Sequence, residues 1–108
     1  MKTCKCQSNE LLFVAKATEE HIPYAVQDLA NPGIALIHSV GLAARTNPIK
    51  GVEANSRQFF PTTSEPEARV HPDIFRVVNG TVRTDSLRGC GLGYQMEKIN
   101  RKFAEPEV

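Results

Sequence analysis

The sequence predicts a single α+β domain: a small, mostly antiparallel sheet with two helices packed on one face. Three observations point there. Asn79-Gly80 stands between FRVV and TVRT, the strongest short-range hairpin signal. Ile22, Ala25, Val26 and Leu29 recur at helical spacing. So do Leu92, Met96, Ile99 and Phe103 near the C-terminus. The 108 residues suit one domain, read as 1–104 followed by a disordered acidic tail over 105–108.

Residues 1–9 are polar and read as an edge strand or a frayed start. Residues 11–17 (LLFVAKA) form a short apolar run, assigned to a strand, with a helix as its rival because Leu11, Leu12 and Ala15 also share a helical face. Residues 18–30 read as a helix, with Thr18 as N-cap or with the regular part starting near Ile22 beside Pro23. Asn31-Pro32-Gly33 stops it. Residues 34–40 (IALIHSV) read as a buried strand, and the rival is a second helix capped by Asn31 with Pro32 at its first position. Residues 41–47 are expected to add a helical turn. Residues 45–68 hold Pro48, Gly51, Pro61 and Pro66, and so read as a functional loop or as short unseen elements. In the hairpin 75–84, Val78 faces Thr81, Val77 faces Val82 and Arg76 faces Arg83. Facing like charges call for a carboxylate or a bound anion beside the two arginines. Residues 94–103 close the fold as an amphipathic helix.

Thirteen basic and twelve acidic residues give a net charge of +1, too balanced for a chain that grips nucleic acid over its whole surface. No apolar run is long enough for a transmembrane helix, and MKTCKCQSNELL lacks the features of a secretory signal. A cytoplasmic protein is therefore expected. Three cysteines cannot all pair within one chain, and cytosolic thiols are normally reduced.

The segment Arg88, Gly89, Cys90, Gly91, Leu92, Gly93 is the clearest candidate for anion or ligand binding. Alternating glycines let a backbone bend tightly and approach a ligand. A following helix would offer free N–H groups, and Arg88 a bidentate phosphate contact. Arg88, Gly91 and Gly93 match the pattern Arg or Gln, two residues, Gly, one residue, Gly or Ala. The segment resembles the pyrophosphate loop of the GNAT acyltransferase superfamily, and the resemblance implies loop amides that hold the pyrophosphate of coenzyme A. It covers six residues and a strand–turn–helix context. The family continues with further strands and another helix, whereas about fifteen residues follow here, so a complete acetyl-CoA site is not expected. The plainer reading is a tight strand-to-helix bend.

Cys4 and Cys6 form a C-x-C pair, with Cys90 far away. Zinc knuckles use wider spacing, so buried thiols are favoured over a metal site, even with His21, His38 and His71 available. A helix N-terminus would make Cys90 the more reactive thiol. His38 lies in an apolar run and His71 in a loop, and no spacing links His71 to Cys90 or Ser86. Glu19-Glu20 and Glu65 with Glu67 suggest no acid/base pair.

With no catalytic set, cofactor or metal indicated, the expected function is that of a non-enzymatic protein-binding module: a regulator, an inhibitor or an assembly subunit. Its partner is another protein or a second copy of the chain, and the expected partner-binding residues are Phe59, Phe60, Arg76 and Arg83. Two alternatives stand beside it. One is a nucleotide or phosphate ligand at Arg88 to Gly93. The other is nucleic acid on a basic face built from Arg76, Arg83, Arg88, Lys98, Arg101 and Lys102.

Overall fold

The computed structural model describes residues 6–27, 30–48, 51–89 and 91–100. Among them are four helices, a two-stranded sheet and one 3-10 turn. In chain order these are α1 (Gln7–Glu19), β1 (Val26–Gln27), α2 (Ile34–Arg45), β2 (Val52–Glu53), α3 (Ser56–Phe59) and α4 (Glu65–Val70), and then the 3-10 turn Met96–Lys98. The chain is α+β in broad terms, but the expected antiparallel sheet is not formed. β1 and β2 pair in parallel, Val26 with Val52 and Gln27 with Glu53. Parallel strands need a crossover, and α2 supplies it, so residues 26–53 make one small β–α–β unit.

α1 occupies the segment expected to be a strand. Leu, Ala, Lys and Glu dominate it, and these are good helix formers. The helix then stops where a helix was expected to begin. His21 stands at a φ of 55°, while the Ile22 amide donates to the Ala17 carbonyl at 2.8 Å and the His21 amide to Thr18 at 3.3 Å. This pair of bonds is a Schellman C-terminus, and Pro23 follows as the residue that cannot continue a helix. Thr18 does not cap. Its hydroxyl donates back to the Val14 carbonyl at 2.8 Å, inside the last turn. Lys16 pairs with Glu20 on the exposed side at 2.8 Å.

α2 replaces the expected buried strand. The apolar run continues through Gly41, Leu42 and Ala43, which gives it helical length. Leu36, Ile37, Ser39, Val40, Gly41 and Leu42 are all buried, the mark of a central helix. The N-cap is Gly33 rather than Asn31. Its amide donates to the Ser64 hydroxyl at 2.8 Å, and the buried carboxylate of Glu67 lies against it, where the helix dipole favours negative charge. α4 is thereby seated on the start of α2. Leu36, Ile37 and Val40 form the core with Ile74, and Phe75, Val82 and Leu87 pack around them. Leu87 and Leu92 reach α2 at Gly41, where any side chain would meet both.

The long loop expected over residues 45–68 contains β2, α3 and the start of α4. The Asn79-Gly80 turn forms as read. Val78 and Thr81 exchange amide–carbonyl bonds, each 2.9 Å, with φ of 51° and 72° at the two turn residues. The ladder goes no further than that bridge. The Phe75 carbonyl accepts from the Arg57 guanidinium, and the Arg76 amide donates to the Asp73 carbonyl, so the first arm curls away instead of pairing. The expected C-terminal helix is also absent from residues 94–100, where only Met96–Lys98 turn helically. The Gln95 amide donates to a histidine ring, Leu92 is buried and Met96 is exposed, so the apolar stripe is not buried as one face. Residues 101–103 of that helix, the N-terminal segment 1–5 and the tail 105–108 lie outside the described residues. No helix among the described residues is long and apolar enough to cross a membrane.

Candidate functional site

Two features adjoin at Asp73: a buried polar cluster around His71 and an open cleft lined by residues from 72 to 83. His71 is fully buried at the C-terminal end of α4. Its Nε2 accepts the Gln95 amide at 2.9 Å, so the ring proton sits on Nδ1. Nδ1 is 2.9 Å from the Ser86 hydroxyl and donates to it. Ser86 in turn donates its hydroxyl proton to Asp73 Oδ1, and its amide donates to Asp73 Oδ2 at 2.9 Å. Three loop segments are fastened by this single chain of bonds.

The electrostatics follow from the geometry. Burial holds the His71 pKa below 6.5, the nearby Asp73 charge opposes that shift, and Lys98 adds to it. Burial alone would raise the Asp73 pKa. The hydroxyl and amide of Ser86, with the amides of Asp73 and Ile74, outweigh burial and hold it below 3.8.

The cluster contains the residue types of a nucleophilic triad in an order that cannot run one. A triad base accepts the serine proton, with its other nitrogen donating to the carboxylate. Here the imidazole donates to the serine and the serine donates to the carboxylate. The remaining ring nitrogen is closed by a backbone amide. The arrangement is a structural clamp, and sequence spacing offered no sign of it, since His71 and Ser86 lie fifteen positions apart in irregular segments.

The cleft has a volume of about 700 Å³. It is lined by Pro72, Asp73 and Arg76 together with Val78, Asn79, Thr81 and Arg83. Two of the residues expected to bind a partner, Arg76 and Arg83, thus share one opening. The carboxylate expected beside them is Asp85, whose Oδ2 is 2.7 Å from both Nε and Nη2 of Arg83. Phe59 and Phe60, the other two expected partner residues, are both exposed, with Phe59 61% accessible.

The segment from Arg88 to Gly93 folds back on itself. The Arg88 amide donates to the Gly93 carbonyl at 2.8 Å, which closes the loop. A Cβ on Gly93 would stand 2.7 Å from the Arg88 nitrogen, so the bend depends on the missing side chain. Leu92 is buried, while Arg88, Gly89 and Gly91 are exposed. The helix N-terminus on which the anion reading relied is not formed over residues 94–100. Cys4 and Cys90 lie outside the described residues, as do Arg101 and Lys102 of the basic face, and Cys6 is exposed. Among the described residues no group of three or more His, Cys, Asp or Glu side chains is placed to hold a metal.

A second titratable pair lies between α1 and α2, where the buried Glu10 Oε2 is 3.5 Å from Nε2 of the partly exposed His38. No sequence signal joined them. Family models, curated proteins and solved structures all return no match to the chain.

Proposed function

We propose that the chain is a non-enzymatic protein-binding module, acting in the cytoplasm through contacts with another protein or with a second copy of itself. The observation that carries this reading is the exposure of Phe59 and Phe60 at the end of α3. Arg57, in the same helical turn, is bound to the Phe75 carbonyl, so the aromatic pair is presented from an anchored support. Aromatic side chains held rigidly at a surface lose little entropy on binding and anchor interfaces well. α1 adds to it: Leu11, Leu12 and Phe13 are exposed, and only Glu10 and Ala17 of that helix are buried. The inverted His71–Ser86–Asp73 order supports a scaffold role for the polar cluster rather than a catalytic one.

The test compares the wild-type chain with F59S/F60S. Sedimentation velocity over a range of concentrations reads self-association, and cross-linked capture from the source cells reads other partners. The expected result is a complex or a captured protein that the double variant loses. A wild-type chain that stays monomeric and captures the same set as the variant would overturn the reading.

A further inference from the structure

We infer that the cleft between the 72–76 segment and the Asn79-Gly80 turn binds a small organic anion of single charge, with an apolar or aromatic body and a carboxylate head. Its volume of about 700 Å³ falls within the ~300–1,000 Å³ of small-molecule sites. The charge count inside it selects the ligand. Arg83 is already neutralised by Asp85 at 2.7 Å. Asp73 turns both its oxygens to Ser86, one to the hydroxyl and one to the amide. Arg76 is exposed, and among the described residues its guanidinium has no ion-pair or hydrogen-bond partner. Arg76 is therefore the lining cation left free to pair with a ligand, while Asp73 keeps its negative charge in the same cleft.

A guanidinium fork matches a carboxylate through two parallel bonds. A phosphate monoester would bring a second negative charge toward the Asp73 carboxylate that lines the same cleft, and like charges repel. Pro72 and Val78 offer apolar surface to the body of the ligand, and the Thr81 hydroxyl offers a donor beside the head. This site is separate from Phe59 and Phe60, so its failure would leave the protein-binding reading standing.

The experiment titrates the full chain with 2-naphthoate, and in parallel with 2-naphthalenemethanol and 2-naphthyl phosphate, following backbone amides by two-dimensional NMR. Saturable shifts confined to residues 72–83 are expected with naphthoate below about 1 mM, the weak end of specific binding. The neutral alcohol and the phosphate should each bind about tenfold more weakly or worse, because a charge-assisted pair is lost or opposed. R76Q should lose naphthoate binding to the same degree. R76K, which keeps the charge without the fork, should retain part of it, and F59S/F60S should bind as the wild type does. Equal binding of acid and alcohol, indifference to R76Q, tighter phosphate binding, or no saturable shift in the wild type would each overturn the inference.

Discussion

The imidazole of His71 accepts the backbone amide of Gln95 at 2.9 Å, and this bond fixes the ring's tautomer while burial sets its response to acid. Protonation would put a second N–H where the Gln95 N–H already points, in a buried site with Lys98 nearby. The folded state therefore holds His71 below its ordinary value of 6.5 and binds fewer protons than the unfolded chain. Stability should be constant above that value and fall as the pH drops below 6.5 through the lowered native pKa. Asp73, held below 3.8, should add a further loss below that value. Urea midpoints measured from pH 7.5 to pH 3 check this. In H71L the slope just below pH 6.5 should shrink, while stability at neutral pH falls by about 1–3 kcal/mol because the Gln95 amide is left buried and unpaired.

Ser86 sits between a donor and an acceptor, and its substitution separates a clamp from a catalyst. S86A removes the hydroxyl that receives the His71 proton and the hydroxyl proton that Asp73 receives. It should cost about 1–3 kcal/mol, measured by chemical denaturation, since His71 Nδ1–H loses its partner in a buried site. A fluorophosphonate probe should leave Ser86 unlabelled in the intact wild-type protein, as read by peptide mass spectrometry. Labelling at Ser86 would mean that the hydroxyl proton can pass to His71, which the tautomer set by the Gln95 amide forbids.

Local chemistry was legible in the sequence where a residue acts on its immediate neighbours. Asn79-Gly80 makes its left-handed turn whatever surrounds it, and the backbone closes from Arg88 to Gly93 as the glycines suggest, but without the expected strand before it or helix after it. The apolar runs were not legible in the same way. Residues 11–17 and 34–40 carry equal burial signals for strand and helix, and only the continuation through Gly41 to Ala43 gives the second run its helical length. A threonine can open a helix or sit in its last turn, a proline can start a helix or follow one, and the positive φ of His21 marks the end of α1 between Thr18 and Pro23. The strands flanking the turn failed because the Arg76 amide, which the Val78–Thr81 register would aim at Arg83, donates to the Asp73 carbonyl instead. Nothing local to His71 and Asp73 could reveal their cluster, because Ser86 and Gln95 reach it from separate segments.

Gly93 and Gly91 both have positive φ, yet their substitutions should differ in cost. Around Gly91 no atom would lie within 4 Å of an added Cβ, so G91A should cost only the conformational strain, about 1–2 kcal/mol. At Gly93 the same methyl would stand 2.7 Å from the Arg88 nitrogen and 2.8 Å from the Leu87 carbonyl carbon. Backbone cannot rotate aside as a side chain can, so the loop must open and the Arg88–Gly93 bond must stretch. G93A should cost about 3 kcal/mol or more. It should also displace the Gln95 amide resonance, because that residue follows two positions on and is held by His71. Thermal melts of the two variants and an amide spectrum of G93A check both points.

His21 offers a gain rather than a loss. It ends α1 in the left-handed region at a φ of 55°, where a side chain costs roughly 1–2 kcal/mol and glycine costs nothing sterically. The imidazole is exposed, so its removal takes no packing from the core. Part of the relief is offset by the larger entropy that glycine gives the unfolded chain. H21G should therefore stabilise the protein by about 0.5–1 kcal/mol, a rise of roughly 2–6 °C in Tm for a chain of this size. H21A should bring no such gain, since alanine keeps the Cβ that the left-handed conformation disfavours. If both variants melt together above the wild type, the benefit comes from losing the imidazole and not from the helix terminus, and the assignment of a strained Schellman end at His21 fails.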